Sequence, residues 1–139
     1  MQVMVMVKYS GSEEGKTPTT EEFAEMGQFN EELVNAGIML SGGGLRDSSH
    51  GFRIYYSGDK RNVVDGPFAE AKELIGGYWI WQVKSMDEAT DWAKRIPFRE
   101  GEVEVRQMSE ADDFGEAFTP ELREQEERLN AQMGANRKA

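Results

Sequence analysis

Residues 3–9, VMVMVKY, form a short run of β-branched and methionine side chains, which predicts a strand. A polar loop runs from Gly11 to Pro18. Thr19 then stands three residues before Glu22, the spacing of a capping box, and predicts a helix over 19–36. Phe23, Met26, Leu33 and Val34 fall on one stripe of that helix, and Gly37 closes it. IMLS, 38–41, predicts a second strand ending at Gly42-Gly43-Gly44. FRIYY, 52–56, predicts a third, turned back by Ser57-Gly58-Asp59 into a brief return at 62–65. Gly76-Gly77 opens the strongest strand, YWIWQV. Ser85 and Glu88 repeat the capping-box spacing ahead of a helix with Ala89, Trp92, Ala93 and Ile96 on its inner face, stopped by Pro97. VEVRQ, 103–107, is the last strand.

This order predicts an α+β fold: a ferredoxin-like sandwich with a four-stranded antiparallel sheet, an added hairpin and two helices on one face. It occupies residues 1–108. From 109 to 139 the chain turns acidic and polar, and Thr119-Pro120 starts a helix expected at about 120–133 with Leu122, Leu129 and Met133 as its apolar contacts.

Strand alternation sorts the sheet into two faces. One collects Val3, Val5, Val7, Ile38, Leu40, Ile54, Ile80, Val103 and Val105, and suits the helices. The other collects Met4, Met6, Met39, Ser41, Arg53, Tyr55, Trp79, Trp81, Glu104 and Arg106. Two helices cover one face only. Exposing the second would leave an apolar patch of several hundred Å², about the largest that a monomer tolerates. A two-fold homodimer, sheet facing sheet around a partly polar chamber, is expected. The competing arrangement folds the C-terminal helix over this face and leaves a monomer.

Charge and composition narrow the partners. The 139 residues hold 26 acids and 16 bases, a net charge of −10, which repels phosphate backbones and anionic lipid. No nucleic-acid or membrane partner is therefore expected. With no cysteine and one histidine, disulfides, thiol chemistry and the usual zinc ligand sets are excluded. No apolar run is long enough for a membrane span, and MQVMVMVKYS lacks a basic leader and a cleavage site; a cytoplasmic location is expected.

Asp65-Gly66-Pro67-Phe68, followed by Ala69-Glu70, Lys72-Glu73 and Gly76-Gly77-Tyr78, resembles the signature of the DGPF proteins within the YCII-related family. The helix from Ser85 to Pro97 and the closing Glu102–Arg106 strand fit the same pattern, so the resemblance covers roughly residues 3–108. It implies a dimeric α+β barrel. Members are mostly uncharacterised bacterial proteins, some linked to extracytoplasmic-function sigma factors, and some relatives are enzymes. In the YCII branch a His–Asp pair is the proposed catalytic centre. The first helix here contains no histidine, so that dyad is not carried over, and Ala71 replaces a threonine common in DGPF members.

The candidate chemistry has a structural reading beside each functional one. Asp65 serves the turn, or stands at the barrel mouth as a base. Lys72 is a solvated, ion-paired lysine, or an anion and carbonyl anchor. Glu70 and Glu73 form an acid–base pair only if burial raises the pKa of one of them. Ser41, Arg53, Tyr55, Trp79 and Arg106 line the expected chamber; alternatively the two arginines form structural ion pairs with Glu104 or Asp65. His50 reads as an exposed loop residue or a proton shuttle, and Gly42-Gly43-Gly44 as a plain loop or an anion cradle. Two functions follow. One is a small-molecule binder or cofactor-independent acid–base enzyme taking a small anionic or carbonyl-containing metabolite. The other is a non-enzymatic interaction protein, with a sigma factor as partner and 109–139 as the contact element.

Overall fold

Alternating valines build β1, Gln2–Tyr9, which pairs antiparallel with β5, Leu74–Gln82, on one side and β6, Glu102–Gln107, on the other. β2, Met39–Gly44, flanks β5, so the sheet order is β2-β5-β1-β6. The computed structural model describes residues 1–138, in two compact units divided between Met108 and Ser109. With α1, Thr20–Asn35, and α2, Met86–Lys94, the first unit has the expected ferredoxin-like order.

Both helices start as the capping signals predict. Thr19 Oγ1 accepts the Glu22 amide at 3.2 Å and Glu22 Oε1 accepts the Thr19 amide at 3.3 Å, which satisfies two otherwise orphaned donors of α1. Gly37, at φ 75°, ends α1, with the Ile38 amide donating to Leu33 O at 2.9 Å. At α2, Ser85 Oγ accepts from the Glu88 amide at 3.1 Å, while the Glu88 carboxylate accepts from Lys84 N.

The core corrects the assignment of faces. Val3 stands opposite Trp81 and Val5 opposite Trp79, so both indoles point toward the helices and are buried there. Phe29 meets Trp79, Trp81 and Trp92 edge-on at centroid distances of 6.2, 6.4 and 6.3 Å. Leu33, Ile38, Val83, Ala89 and Ile96 complete this core, and Met39 packs against it. Fully burying one such large apolar side chain contributes about 1.5–3 kcal/mol. Trp79, Trp81 and Met39 therefore leave the outer face. Ile80 joins it opposite Met4, and the register shift between Met39 and Ser41 leaves Leu40 unpaired and exposed. On α1 the inner stripe is Met26, Phe29 and Leu33, whereas Phe23 and Val34 are exposed.

A second correction concerns the hairpin. β3, Phe52–Ser57, and β4, Lys60–Asp65, pair only with each other, as a separate two-stranded sheet. Arg53, Ile54 and Tyr55 therefore belong to neither face of the four-stranded sheet. In the second unit a 3-10 segment, Ala111–Ala117, precedes α3, Pro120–Lys138. α3 outlasts the predicted 120–133 because Ala131, Gln132 and Ala135 favour helix without adding to the apolar stripe. Arg123 bonds Asp112 at 2.9 Å within this unit. No described helix is long and apolar enough to cross a membrane.

Candidate functional site

Three loops meet where β1 ends. Glu14, after the turn Gly11–Glu13, accepts both the amide and the hydroxyl of Ser48, at 2.6 and 2.5 Å. Ser48 Oγ in turn accepts the Phe68 amide at 2.8 Å. Gly66 donates its amide to Gly51 O at 3.0 Å and presses against Ser48 O so closely that no β-carbon fits. Gly11 donates to Ala71 O at 2.8 Å. The Asp-Gly-Pro-Phe turn, whose Gly66-Pro67 bond is cis, thus clasps two other loops, with the Arg53 guanidinium 3.9 Å above the Phe68 ring. The motif's glycine and backbone amides hold the loops together.

Beside this clasp lies an open cleft of about 860 Å³, walled by β1, the loop before α1, the segment after β2 and residues 98–102. Tyr9, Phe23, Leu45 and Phe98 give it apolar surface, and Lys16, Arg46, Asp47 and His50 give it charge. The register shift between Val7 and Lys8 sets Tyr9 over Gly76, where its ring occupies the space of a side chain. Burial, reinforced by the negative charges of Glu14 and Asp47, raises the Tyr9 phenol above its ordinary pKa. At neutral pH it is a proton donor.

Asp47 caps the turn Ser48–His50 and accepts the Ser49 amide at 3.0 Å as well as a short bond from the Ser49 hydroxyl. These bonds, with His50 as a smaller contributor, hold the Asp47 carboxyl below the ordinary range. His50 Nδ1 lies 3.5 Å from Asp47 Oδ1 and 3.2 Å from Ser49 Oγ. A proton on Nδ1, facing the carboxylate, leaves Nε2 as the basic nitrogen. Asp47 and His50 were not singled out as a pair from the sequence, although the Asp-x-Ser spacing of 47–49 signals a side-chain-capped turn. Tyr9 was equally missed; it lies two residues beyond Val7 on the alternating pattern.

The residues predicted from sequence are dispersed. Glu73 bonds Lys8 at 2.8 Å, and that partner holds its carboxyl below the ordinary range. Lys72 and Glu73 border a groove of about 290 Å³ that shares Lys8, Tyr9, Glu13 and Glu102 with the larger cleft. Asp65 ends β4 opposite Phe52 and lines neither recess. Arg53 and Tyr55 stand on the hairpin. Trp79 is in the core, with Nε1 donating to Asn30 Oδ1 at 2.9 Å, and so walls no chamber. Ser41 and Arg106 lie on the outer sheet face, opposite Ile80 and Met4, where Arg106 is 3.8 Å from Glu104. That contact is one of the structural ion pairs weighed from the sequence.

An antiparallel four-stranded sheet, two helices on one side and a clasped hairpin define an α+β sandwich domain of the ferredoxin-like kind. The chain belongs to the YCII-related family, whose domain matches residues 1–112. It is also similar to an uncharacterised protein of Rhizobium meliloti (strain 1021), 40% identical over 43 residues, or 31% of this chain. That match spans 35% of the relative's length.

Proposed function

We propose that this protein binds a small anionic or carbonyl-containing molecule in the Tyr9–His50 cleft and acts on it by cofactor-independent acid–base chemistry. The observation that carries this reading is the Asp47–His50 pair on the wall of a cleft that also holds the protonated phenol of Tyr9. The imidazole supplies a base and the neutral phenol a hydrogen-bond donor, while Arg46 and Lys16 supply positive charge for a carboxylate or phosphate. Lys72 adds a cation at the adjoining groove. This pair is distinct from the dyad of the YCII branch, since its members lie after β2 and α1 holds no histidine.

We also propose that two copies pair through the outer faces of their sheets. Met4, Met6, Tyr78 and Ile80 form a half-buried apolar strip there, bordered by Ser41, Glu104 and Arg106. Pairing would exclude water from this strip at about 25 cal/mol per Å² covered.

A metabolite-library thermal-shift screen tests the cleft. The expected result is a stabilising hit that Tyr9→Phe or His50→Gln weakens at least tenfold. A hit untouched by both would place the ligand elsewhere. The acidic second unit supports the interaction reading as a second possibility, since Leu122, Leu129 and Met133 form an exposed stripe on α3. Deleting 109–139 separates the two: cleft binding survives, and binding to a sigma factor does not.

A further inference from the structure

We propose that the β3–β4 hairpin is an arm that docks on a second copy of this chain. The inference rests on the pairing of copies proposed above and is independent of the cleft's chemistry. Every residue from 52 to 65 is exposed, and the ladder extends no other sheet. One side of it nevertheless presents Phe52, Ile54, Tyr56 and Val63. Two-stranded hairpins left alone in water are marginal, and this one carries an apolar stripe on which, among the described residues, Arg61 stacks over Tyr56 and which otherwise stays exposed.

Its base, by contrast, is braced. The Gly66–Gly51 and Phe68–Ser48 hydrogen bonds and the Arg53–Phe68 stack hold the point where the arm leaves the body. A braced base reduces the ordering cost of docking. The area also fits. Phe52 and Tyr56 are 61% and 69% exposed and Val63 56%. Aromatic side chains bury roughly 150–250 Å² each, so the stripe offers about 400–500 Å², and two arms related by a two-fold offer about 800–1,000 Å². Added to the sheet pairing, that carries the interface past the roughly 1,000 Å² from which a specific contact is expected. Charge favours a second copy as well. The arm carries Arg53, Lys60 and Arg61 against Asp59 and Asp65, while the whole chain has a net charge of −10.

Sedimentation velocity over a concentration series compares the full chain with the triple variant Phe52→Ser, Tyr56→Ser, Val63→Thr. The expected result is a dimer that the variant weakens by about 100-fold or more, with its circular dichroism unchanged. A wild-type dimer with an unchanged constant in the variant overturns the arm and leaves the sheet pairing standing; a wild-type monomer at every concentration overturns both. Should the variant unfold, hydrogen exchange of wild-type amides 52–65 decides. Protection lost on dilution supports the arm, and protection independent of concentration overturns it.

Discussion

The ring of Tyr9 lies across the backbone of Gly76, in the space that any β-carbon at that position would need. The contact joins the last residue but one of the β5 glycine pair to the base of the cleft, so a packing constraint and a candidate proton donor share one residue. Gly76→Ala should therefore push the ring aside. Overpacking of this kind costs about 1–3 kcal/mol. A urea titration should find that loss, and ligands captured in the thermal-shift screen should bind more weakly to the variant.

Lys8 predicts a pH signature. It meets Glu73, Glu104 and Glu102 at 2.8, 3.2 and 3.3 Å, with 14% of its side chain exposed. The hydrogen bonds it donates to these carboxylates raise its pKa, led by that to Glu73, and Lys8 lowers that of Glu73. A depressed carboxylate contributes stability above its unfolded pKa, near 4.3, and loses it as pH falls through the folded value. Glu13 and Asp47 act in the same direction. The raised Lys8 and Tyr9 contribute fully below their unfolded values, near 10, and lose the contribution as pH rises through the folded ones. Melting temperature should thus fall on both sides of a neutral plateau. Lys8→Met should lower the plateau and narrow its difference from wild type below about pH 4, where its former partners are protonated.

Ser48 predicts the cohesion of the clasp. Ser48→Ala removes a donor to Glu14 and an acceptor for the Phe68 amide. Leaving part-buried groups unpaired costs about 1–3 kcal/mol. Chemical denaturation should measure the loss, and hydrogen exchange should show faster opening at 66–71 than in β1.

Asn30 predicts the same at the core. It accepts the Trp79 indole proton from α1, whereas the buried Trp81 Nε1 has no partner among the described residues. Asn30→Leu orphans a second indole and should destabilise by about 1–3 kcal/mol. Asn30→Asp keeps the acceptor and should retain most of that stability at neutral pH.

Much of this architecture was legible in the chain. Thr19-x-x-Glu22 and Ser85-x-x-Glu88 mark helix starts, and Asp65-Gly66-Pro67 marks a turn, because capping and turn chemistry are local. The direction of Trp79 and Trp81 was not. Alternation shows that both lie on one side of β5, but with Tyr78 and Ile80 on the other side both faces are apolar. Phe29, distant in sequence, decides the matter by meeting both indoles edge-on. The glycine pair Gly76-Gly77 marks the bulge opposite Val7 and Lys8, whereas the shift between Met39 and Ser41 has no local signal and misassigned Met39. Arg53 and Tyr55 read as sheet residues because a hairpin strand and a central strand share one composition. The cleft was harder still. Its members come from separated segments that strand pairing and the clasp bring together.

That clasp has an evolutionary corollary. If Gly66 and Phe68 are retained for their fit to Ser48, Glu14 and Gly11, then in related chains those five positions should be inherited together, while Tyr9, Arg46 and His50 drift with whatever molecule each lineage handles. The four-letter signature would then mark a shared chassis whose occupants differ.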